Sequence, residues 1–492
     1  MSRVLVIGGG VGGLCAAIDC AAAGREVIVL EASGRMGGKA GVQSHEGVEF
    51  DTGPSVVTMT EVFASLFEET GSPLSEHLTF THPKPACRYA FYDGVSVDLF
   101  DDPTTRHAEV ARVLGDAAAT ECESFLAYAD RIWRAAAPNF IFGPAPSIGS
   151  VTRLGLRAIP TVAAIDPFRT MRGAIRSRVH NPYLRDIFER FATYNGSDPR
   201  RAPATLNCIS HVELTMGVRG IQGGLHRLVD ALVARAESLG ATLLTHHRVV
   251  SIQTDSEGIS GVTLADGRVL NARDVVVNAD VRHLVHDLLA ETPSHGLPKE
   301  PIPSMSGWTG VIKARKRTDR VGHTVLFPET YTEEFADIFD RERPPRDPTV
   351  YLCSQAHAHQ RPGWAEHEPV FIMANAPAEP AEGASPKEQW LTLKETVLQR
   401  LRDHDLIDTT DEVIWERSPT GLAQQFPGSR GALYGAASND MFAAFRRPHN
   451  KIARVPGLYL ASGGSHPGGG VPMVALSGRA AARSLLQTSS RS

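Results

Sequence analysis

The segment RVLVIGGGVGG (residues 3–13) joins a short apolar run to a cluster of glycines. Arg3 to Ile7 predict a buried strand, the glycines a tight turn, and Leu14 to Ala23 a helix of small residues that ends at Gly24. Glu26 to Leu30 predict a second strand. A strand, turn, helix and strand in this order are typical of a parallel sheet that is covered on both faces.

Gly8, Gly10 and Gly13 form the pattern G-x-G-x-x-G between the predicted strand and the predicted helix. Without side chains, the backbone amides and the helix N-terminus can approach a pyrophosphate. Glu31 follows the second strand, where a carboxylate can accept hydrogen bonds from a ribose hydroxyl. Together these residues predict a dinucleotide site, and the alternative is that the glycines serve only the turn.

A second glycine turn follows directly in ASGRMGGKAG (residues 32–41). Gly37 and Gly38 are flanked there by Arg35 and Lys39, and positive side chains beside a glycine turn suit a second close approach to phosphate. Nicotinamide enzymes do not usually carry such an extension. We therefore predict that Arg35, Gly38 and Lys39 bind FAD rather than NAD.

The stretch from Glu31 to Gly53 resembles the extended dinucleotide signature of the amine oxidase and carotenoid desaturase flavoproteins. Near the other end of the chain, GGSHPGGGVP (residues 463–472) resembles the C-terminal signature of the carotenoid desaturases. The resemblance implies that this turn wraps the flavin ring and that the next helix stabilises the reduced, anionic flavin through its N-terminus. It also implies flavin contacts for Gly464, Gly470, Val471, Pro472 and Met473, and an adenine contact for the backbone of Val249.

Several other stretches extend the resemblance over most of the chain: RPHN (447–450), VVNAD (276–280), HTVLFPETYTEEFADIF (323–339), FATYNGSDP (191–199) and PMVALSGR (472–479). The last two look most like the branch that introduces a 3,4 double bond into hydroxylated or methoxylated acyclic carotenoids. Residues 217–224, GVRGIQGG, depart from the glycine segment of many phytoene desaturases. That departure weakens phytoene as the substrate, although a phytoene desaturase stays an alternative.

Desaturation removes a hydride from one carbon and a proton from its neighbour, and an oxidised flavin accepts the hydride without a metal. His466 is the best-placed titratable residue for a catalytic role, although it can equally serve to hydrogen-bond its own turn. A quinone or O2 would reoxidise the flavin. A long polyene needs a dry tunnel, and the candidate lining residues, each of which can also be ordinary core, are Trp133, Phe140, Phe142, Phe168, Tyr194, Trp308 and Phe327.

The composition excludes other classes of protein. The 492 residues carry a formal net charge of −5, which offers no uniform attraction to nucleic acid. The six cysteines are scattered without metal-ligand spacing, so we predict buried thiols in a reducing compartment and no metal site. No stretch is long and apolar enough for a spanning helix, which predicts a soluble or peripheral protein.

The predicted fold is α/β, with a Rossmann-like FAD-binding domain of the glutathione reductase and amine oxidase type and an interleaved mixed α+β substrate domain. Residues 1–84, 211–294 and 421–492 would form the FAD-binding domain, because strand patterns recur at the start, middle and end of the chain. Residues 85–210 and 295–420 look less regular and would form the substrate and membrane-associating domain.

A basic and apolar mixture runs from residue 131 to residue 178. Such a mixture suits an anionic bilayer surface, or alternatively a solvated face over an ordinary core. The first reading predicts a cytoplasmic protein that is peripherally associated with the inner membrane. The arginines concerned are Arg131, Arg134, Arg153, Arg157, Arg169, Arg172, Arg176 and Arg178.

Two further functions stay open from the sequence alone. An amine oxidase-type flavoprotein would need a polar or aromatic cage for an amine, and the C-terminal HPGGGVP argues against it. A cofactor-free chaperone that binds prenyl or other lipid groups has the same architecture, and the intact glycines together with Glu31 argue against that function.

Overall fold

The computed structural model describes residues 3–146, 159–290, 292, 296–298 and 300–489. Its strands are β1 (Arg3–Ile7), β2 (Glu26–Leu30), β3 (Val42–His45), β4 (Val48–Asp51), β5 (Phe80–Thr81), β6 (Cys87–Ala90), β7 (Ser96–Leu99), β8 (Gly220–Ile221), β9 (Thr242–Leu244), β10 (Val249–Asp255), β11 (Gly258–Leu264), β12 (Val269–Asn271), β13 (Asp274–Val277), β14 (Ser306–Arg315), β15 (His323–Leu326), β16 (Val350–Ser354), β17 (His367–Ala376), β18 (Glu412–Arg417) and β19 (Leu458–Leu460).

The α-helices are α1 (Val11–Ala22), α2 (Glu61–Glu69), α3 (Pro103–Leu114), α4 (Asp116–Ala136), α5 (Ile159–Ile165), α6 (Met171–Arg176), α7 (Pro182–Arg190), α8 (Cys208–His211), α9 (His226–Ser238), α10 (Val281–His283), α11 (Tyr331–Phe339), α12 (Gln355–His359), α13 (Lys387–Asp403), α14 (Pro419–Gln425), α15 (Ala443–Arg446) and α16 (Val471–Ser489). Short 3-10 turns cover Leu74–Glu76, Phe191–Asn195 and Ala204–Asn207, and π turns cover Ala137–Ile141, Val212–Met216 and Leu284–Leu288.

A five-stranded parallel sheet, ordered β19-β13-β1-β2-β9, contains both strands that were predicted from the N-terminal sequence. The predicted bounds of β1 and β2 are confirmed. The first helix differs, because it begins at Val11 and already includes Gly12 and Gly13. Hydrophobic side chains cover both faces of this sheet, as a parallel sheet requires.

The first and last helices pack against each other through glycines. A Cβ added at Gly12 would lie 2.4 Å from the Ala461 carbonyl oxygen and 2.9 Å from that of Val474. A Cβ added at Gly478 would lie 2.1 Å from the Gly12 carbonyl oxygen. Real side chains do not approach a backbone so closely, so only glycine fits at both positions. The two ends of the chain therefore meet at one place.

A seven-stranded sheet, ordered β18-β14-β17-β16-β15-β6-β7, is the largest sheet among the described residues. It occupies stretches that look irregular in the sequence. The reason is visible in β14 and β17, which are buried on both faces along nearly their whole length and so lack the alternation of apolar and polar residues. One face packs on α13 through Trp308, Ile312 and Trp390.

The two large sheets draw their strands from different parts of the chain. The five-stranded sheet uses residues 3–30, 242–244, 274–277 and 458–460. The seven-stranded sheet uses residues 87–99, 306–376 and 412–417. These ranges lie inside the segments that the sequence predicted for the FAD-binding and the substrate domain, respectively. The boundaries at residues 84, 210, 294 and 420 stay predictions.

All six cysteines are buried thiols without a disulfide partner. Over the described ranges, no three side chains of His, Cys, Asp or Glu are grouped so that they could hold a metal ion.

Candidate functional site

The turn after β1 is shaped by glycines. Gly8 has a φ of +96°, which favours glycine, and a Cβ on it would lie 2.8 Å from the Asn278 carbonyl oxygen. Gly10 caps α1 without a side-chain hydrogen bond, and a Cβ on Gly13 would lie 2.2 Å from the Gly8 carbonyl oxygen. The first N–H groups of α1 thus face no capping side chain, and a helix N-terminus in this state suits an anion.

Asn278 holds this turn against the C-terminal part of the chain. Its Nδ2 donates a hydrogen bond to the carbonyl oxygen of Ala461, a residue that lies just before the C-terminal glycine turn. Its Oδ1 would lie 2.5 Å from a Cβ on Gly10. The sequence carried a signal for this role that was not used: Asn278 is a polar residue at the end of the buried apolar strand β13.

Glu31 lies beside the glycine turn, as predicted from its position after β2. Its Oε2 accepts from the Gly9 amide at 2.8 Å and its Oε1 from the Ser33 amide at 2.8 Å. A carboxylate has about four acceptor sites, so lone pairs remain for two ribose hydroxyls. The Glu31 carbonyl oxygen accepts a hydrogen bond from the His247 amide. Val249, at the start of β10, follows His247 by two residues and so lies close to this contact.

The two basic residues of the second glycine turn, Arg35 and Lys39, point in different directions. Arg35 is exposed, with a guanidinium nitrogen 3.6 Å from a carboxylate oxygen of Glu49. Lys39 points inward, and its Nζ donates to the carbonyl oxygens of Ala432 at 2.8 Å and Leu433 at 3.2 Å. Burial lowers the pKa of Lys39 to about 8. Gly38 between them has a φ of +58°. A phosphate contact for Arg35 or Lys39 stays a prediction.

The C-terminal glycine turn is braced by two residues of the RPHN stretch. Arg447 donates through Nη1 to the Pro467 carbonyl oxygen at 2.6 Å and through Nη2 to Asn195 Oδ1 at 3.1 Å. Asn450 Nδ2 donates to the carbonyl oxygens of Leu460 at 3.1 Å and His466 at 2.9 Å. The sequence showed RPHN only as a family match, and the structure gives it a role in holding the turn.

The braced turn ends at the N-terminus of α16. Gly470 has a φ of +111°, and a Cβ there would contact only Met473 Cγ, at 3.9 Å. The turn is therefore open on that side. Val471, Pro472 and Met473 form the first turn of α16, so the positive end of a helix faces the opening. Gly464 lies behind it, where a Cβ would come within 2.9 Å of Val281 Cγ2.

His466 is 3% exposed and its Nε2 lies 3.0 Å from the Gly143 carbonyl oxygen. A nitrogen that bonds a carbonyl must carry the proton, so Nε2 is a donor and cannot accept a proton there. Burial lowers the pKa of His466, which keeps the ring neutral. This geometry supports the alternative role, in which His466 holds the turn, and a catalytic role stays a prediction.

Three tyrosines near the turn are deeply placed without being fully covered. Burial raises the pKa of Tyr194, Tyr351 and Tyr434, although each retains some accessible surface. Tyr351 lies on the face of the seven-stranded sheet opposite α13, in one row with Met373 and Val325. We call the part of the molecule around these three tyrosines the candidate substrate region.

The predicted tunnel residues do not form one lining. Tyr194 belongs to the candidate substrate region, whereas Trp308 and Phe327 are buried in packed cores at 2% and 0% exposure. Phe142 and Phe168 are 45% and 77% exposed. They lie on the surface because the segments that carry them, at the end of α4 and after α5, pack through other side chains. Trp133 and Phe140 are half-buried.

These residues fit a flavin dinucleotide. The glycine turn and the N-terminus of α1 suit a pyrophosphate, and the carboxylate of Glu31 suits a ribose. The open turn at Gly470 and the N-terminus of α16 suit the ring system, and the first N–H groups of that helix would lie near its polar edge. Val249 is 6% exposed and takes part in β10, so only its backbone is placed to contact an adenine.

Several known proteins are similar to this chain over nearly its whole length. The family model described as flavin containing amine oxidoreductase matches residues 11–486. A hydroxyneurosporene desaturase of Cereibacter sphaeroides is 35% identical, with 98% of this chain and 97% of that protein covered. A hydroxyneurosporene desaturase of Rubrivivax gelatinosus is 33% identical, with coverages of 98% and 93%. A 4,4'-diapolycopene oxygenase of Methylomonas sp is 29% identical, with coverages of 97% and 96%.

Solved structures share the fold at lower identity. An oxidoreductase from Methanosarcina mazei aligns with a TM-score of 0.61 at 17% identity, covering 99% of this chain and 100% of that one. Cyclohexylamine oxidase from Brevibacterium oxydans aligns with a TM-score of 0.58 at 16% identity, covering 99% of each chain. These likenesses confirm the α/β fold with a Rossmann-like dinucleotide-binding part.

Proposed function

Because the chain belongs to the flavin-containing amine oxidoreductase family, in its carotenoid desaturase branch, we propose that it introduces a carbon–carbon double bond into a long acyclic carotenoid. It is an FAD-dependent oxidoreductase. The observation that carries the proposal is the open turn at Gly470 beside the N-terminus of α16, in a chain that two hydroxyneurosporene desaturases match over 98% of its length. An elongated apolar molecule bound beside this turn would meet the flavin ring.

The chain's own residues explain how the reaction proceeds. FAD, when bound, accepts the hydride that leaves one carbon while the neighbouring carbon loses a proton. The N-terminus of α16 would place positive charge near a flavin that has taken up a hydride. The candidate substrate region would exclude water and orient the polyene, so that one C–C bond is presented to the flavin. Arg447 and Asn450 keep the turn in place during this step.

The substrate that we propose is a 1-hydroxylated or methoxylated acyclic carotenoid, and the reaction a 3,4-desaturation. Two relatives that match nearly the whole chain are named hydroxyneurosporene desaturases. Phytoene is the alternative substrate. Amine oxidases share the fold at only 16% identity, which says nothing about the substrate of this chain. A quinone or O2 is the proposed acceptor for the electrons.

We further propose that the protein takes its substrate from the surface of the inner membrane. Three phenylalanine side chains are exposed on the surface: Phe142 at 45%, Phe168 at 77% and Phe442 at 56%. Phe140 packs against Phe445 with ring centroids 6.3 Å apart, which brings two of the segments together. Exposed aromatic side chains in one region suit a bilayer interface.

The arginines between residues 131 and 178 give mixed support to this membrane proposal. Arg134 pairs with Asp130 and Arg169 with Asp166, so part of the positive charge is compensated. Arg131 and Arg178 lie over the ring of Tyr128. Arg153 and Arg157 lie outside the described residues.

None of the helices in the described ranges is long and apolar enough to cross a membrane.

The proposal is tested by expression in cells that accumulate defined carotenoid precursors, followed by pigment analysis. We expect hydroxylated acyclic carotenoids to gain one double bond. The matched control is the Glu31→Ala variant, which loses the two hydrogen bonds of the ribose-side carboxylate and should convert less. Conversion of phytoene with hydroxylated carotenoids untouched would change the substrate, and no conversion of any carotenoid would refute the function.

A further inference from the structure

A buried arginine in the candidate substrate region has a guanidinium nitrogen without a protein acceptor. Arg190, the last residue of α7, is 7% exposed. Its guanidinium carbon lies 5.7 Å from the ring centre of Tyr89 and 5.2 Å from that of Tyr194. Among the described residues, its Nη1 has no hydrogen-bond partner, and the guanidinium forms no ion pair with a carboxylate. A buried guanidinium with five donors needs an oxygen acceptor.

The neighbouring carboxylate does not supply that acceptor. Glu213 is 2% exposed, and its Oε1 accepts from the Tyr89 hydroxyl at 3.3 Å while its Oε2 accepts from the Tyr194 hydroxyl. The two tyrosines thus turn their hydroxyl groups to Glu213 and their ring faces to Arg190. We call Arg190, Tyr89, Tyr194 and Glu213 the Arg190 cluster. Its unused hydrogen-bonding capacity belongs to the guanidinium.

Two further buried polar atoms near the cluster lack partners. Tyr331 is 2% exposed and its hydroxyl makes no hydrogen bond to a described residue. His323 is 1% exposed; its Nδ1 lies 2.8 Å from the Tyr351 hydroxyl and its Nε2 has no partner among the described residues. Burial lowers the pKa of His323 to about 3, with the charge of Arg190 contributing in the same direction. Burial raises the pKa of Tyr331 well above its usual value, and Arg190 opposes this.

The cluster lies near the C-terminal turn. Tyr194 precedes Asn195, whose Oδ1 accepts from Arg447 at 3.1 Å, and Arg447 also holds the Pro467 carbonyl oxygen. Tyr89 and Tyr351 lie in one row of the seven-stranded sheet, on either side of Val325. The Arg190 cluster is therefore close to the candidate flavin site.

We propose that the Arg190 cluster binds the oxygen atom at the end of the carotenoid substrate. The inference rests on the proposed function and identifies the part of the substrate that this site binds. A hydroxyl or methoxyl oxygen can accept from the guanidinium, and the hydroxyl of Tyr331 supplies a further donor. In a 1-hydroxylated carotenoid the oxygen sits two carbons from the 3,4 bond. An anchor for that oxygen must therefore lie beside the flavin ring, which is where the cluster lies.

A hydrocarbon end would leave the same atoms without partners. Sites that hydrogen-bond a substrate oxygen discriminate strongly against the analogue that lacks it, because the buried polar groups of the protein then stay unpaired. The cluster would thus select for oxygenated ends and fix which bond reaches the flavin. Relatives that match nearly the whole chain include both a hydroxyneurosporene desaturase and a 4,4'-diapolycopene oxygenase.

The test compares two acyclic carotenoids that differ only in a terminal hydroxyl, with the FAD-loaded full chain and anaerobic flavin reduction as the readout. For Arg190→Met we expect the ratio of kcat/KM values, hydroxylated over unsubstituted, to fall by about 10- to 100-fold, the effect of one hydrogen bond to a charged group. For Tyr331→Phe we expect a fall of about 3- to 10-fold, the effect of a neutral hydrogen bond. Binding of the hydroxylated product, measured by equilibrium titration, should weaken in parallel.

Tyr183→Phe is the matched control, because Tyr183 lies on the same helix and its hydroxyl bonds Asp93 at the surface. We expect no change in the ratio for this variant. If Arg190→Met and Tyr331→Phe both keep the wild-type ratio, the inference is wrong and the desaturase function stands. If the wild-type protein reduces its flavin with neither carotenoid, the proposed function itself fails. A fold defect in Arg190→Met, seen as lost FAD binding, leaves Tyr331→Phe to decide.

Discussion

The half of the molecule that would bind the dinucleotide and the half that would bind the carotenoid are built in different ways. In the first, the contacts are made by backbone: Gly12 fits against Ala461 and Val474 because it has no side chain. In the second, side chains from distant strands lie together on one sheet face, as Tyr89 and Tyr351 do on either side of Val325.

This difference explains what each half can tolerate. A close backbone approach fails when any Cβ is added, so the dinucleotide half should respond to small substitutions with complete loss of binding. A binding region built from side chains can change one of them and keep its shape, so the carotenoid half should respond with altered selectivity.

The largest effect is expected for Gly12→Val. Its Cβ would lie 2.4 Å from the Ala461 carbonyl oxygen, so α1 and α16 must move apart. We expect a loss of about 3 kcal/mol or more of unfolding free energy and no measurable FAD binding in a fluorescence titration. Gly421→Ala in α14 is the control, because its Cβ would meet Arg417 Cγ at an ordinary 3.4 Å. Tight FAD binding by Gly12→Val would show that the two helices are not held in contact by this glycine.

An intermediate effect is expected for Arg447→Met. The substitution removes the bonds to Pro467 and Asn195 that join the two halves, and it leaves buried oxygens without donors. We expect FAD affinity to fall by about 10- to 100-fold, measured by isothermal titration calorimetry. Arg446→Met is the control, because Arg446 is exposed and, among the described residues, pairs with Asp440 alone. Equal affinities for the two variants would contradict the bracing role.

The smallest effect is a pH dependence of FAD binding through Lys39. Its pKa is lowered to about 8 in the free protein, and a phosphate beside it would raise that pKa again. FAD should therefore bind best below pH 8 and lose up to about tenfold in affinity by pH 9, because a proton must then be taken up. Lys39→Arg stays charged and should show a flat profile. A flat profile in the wild type would place Lys39 away from the phosphates.

The sequence predicted the dinucleotide half in detail because its signals are local. Glycines in a fixed pattern and the carboxylate of Glu31 each lie within one strand-turn-helix unit, and the bounds of β1 and β2 are confirmed. The role of Asn278 was missed, because the partner that it holds, Ala461, comes from the far end of the chain.

The carotenoid half was predicted poorly for a physical reason. Strands β14 and β17 are buried on both faces and carry no period of two, so their sequences look irregular. The Arg190 cluster is assembled from four elements, and nothing near Arg190 in the sequence indicates that Tyr89 and Glu213 approach each other. A site formed by side chains that are distant in the sequence has no local sequence pattern from which it can be predicted.

The most direct measurement is an anaerobic mixture of the FAD-loaded protein with a hydroxylated acyclic carotenoid, followed by absorbance. We predict that the absorbance band of the oxidised flavin bleaches while the polyene spectrum shifts to longer wavelength. One double bond should form for each flavin that is reduced. A flavin that stays oxidised while the carotenoid is bound, or a chain that takes up no FAD, would contradict the account.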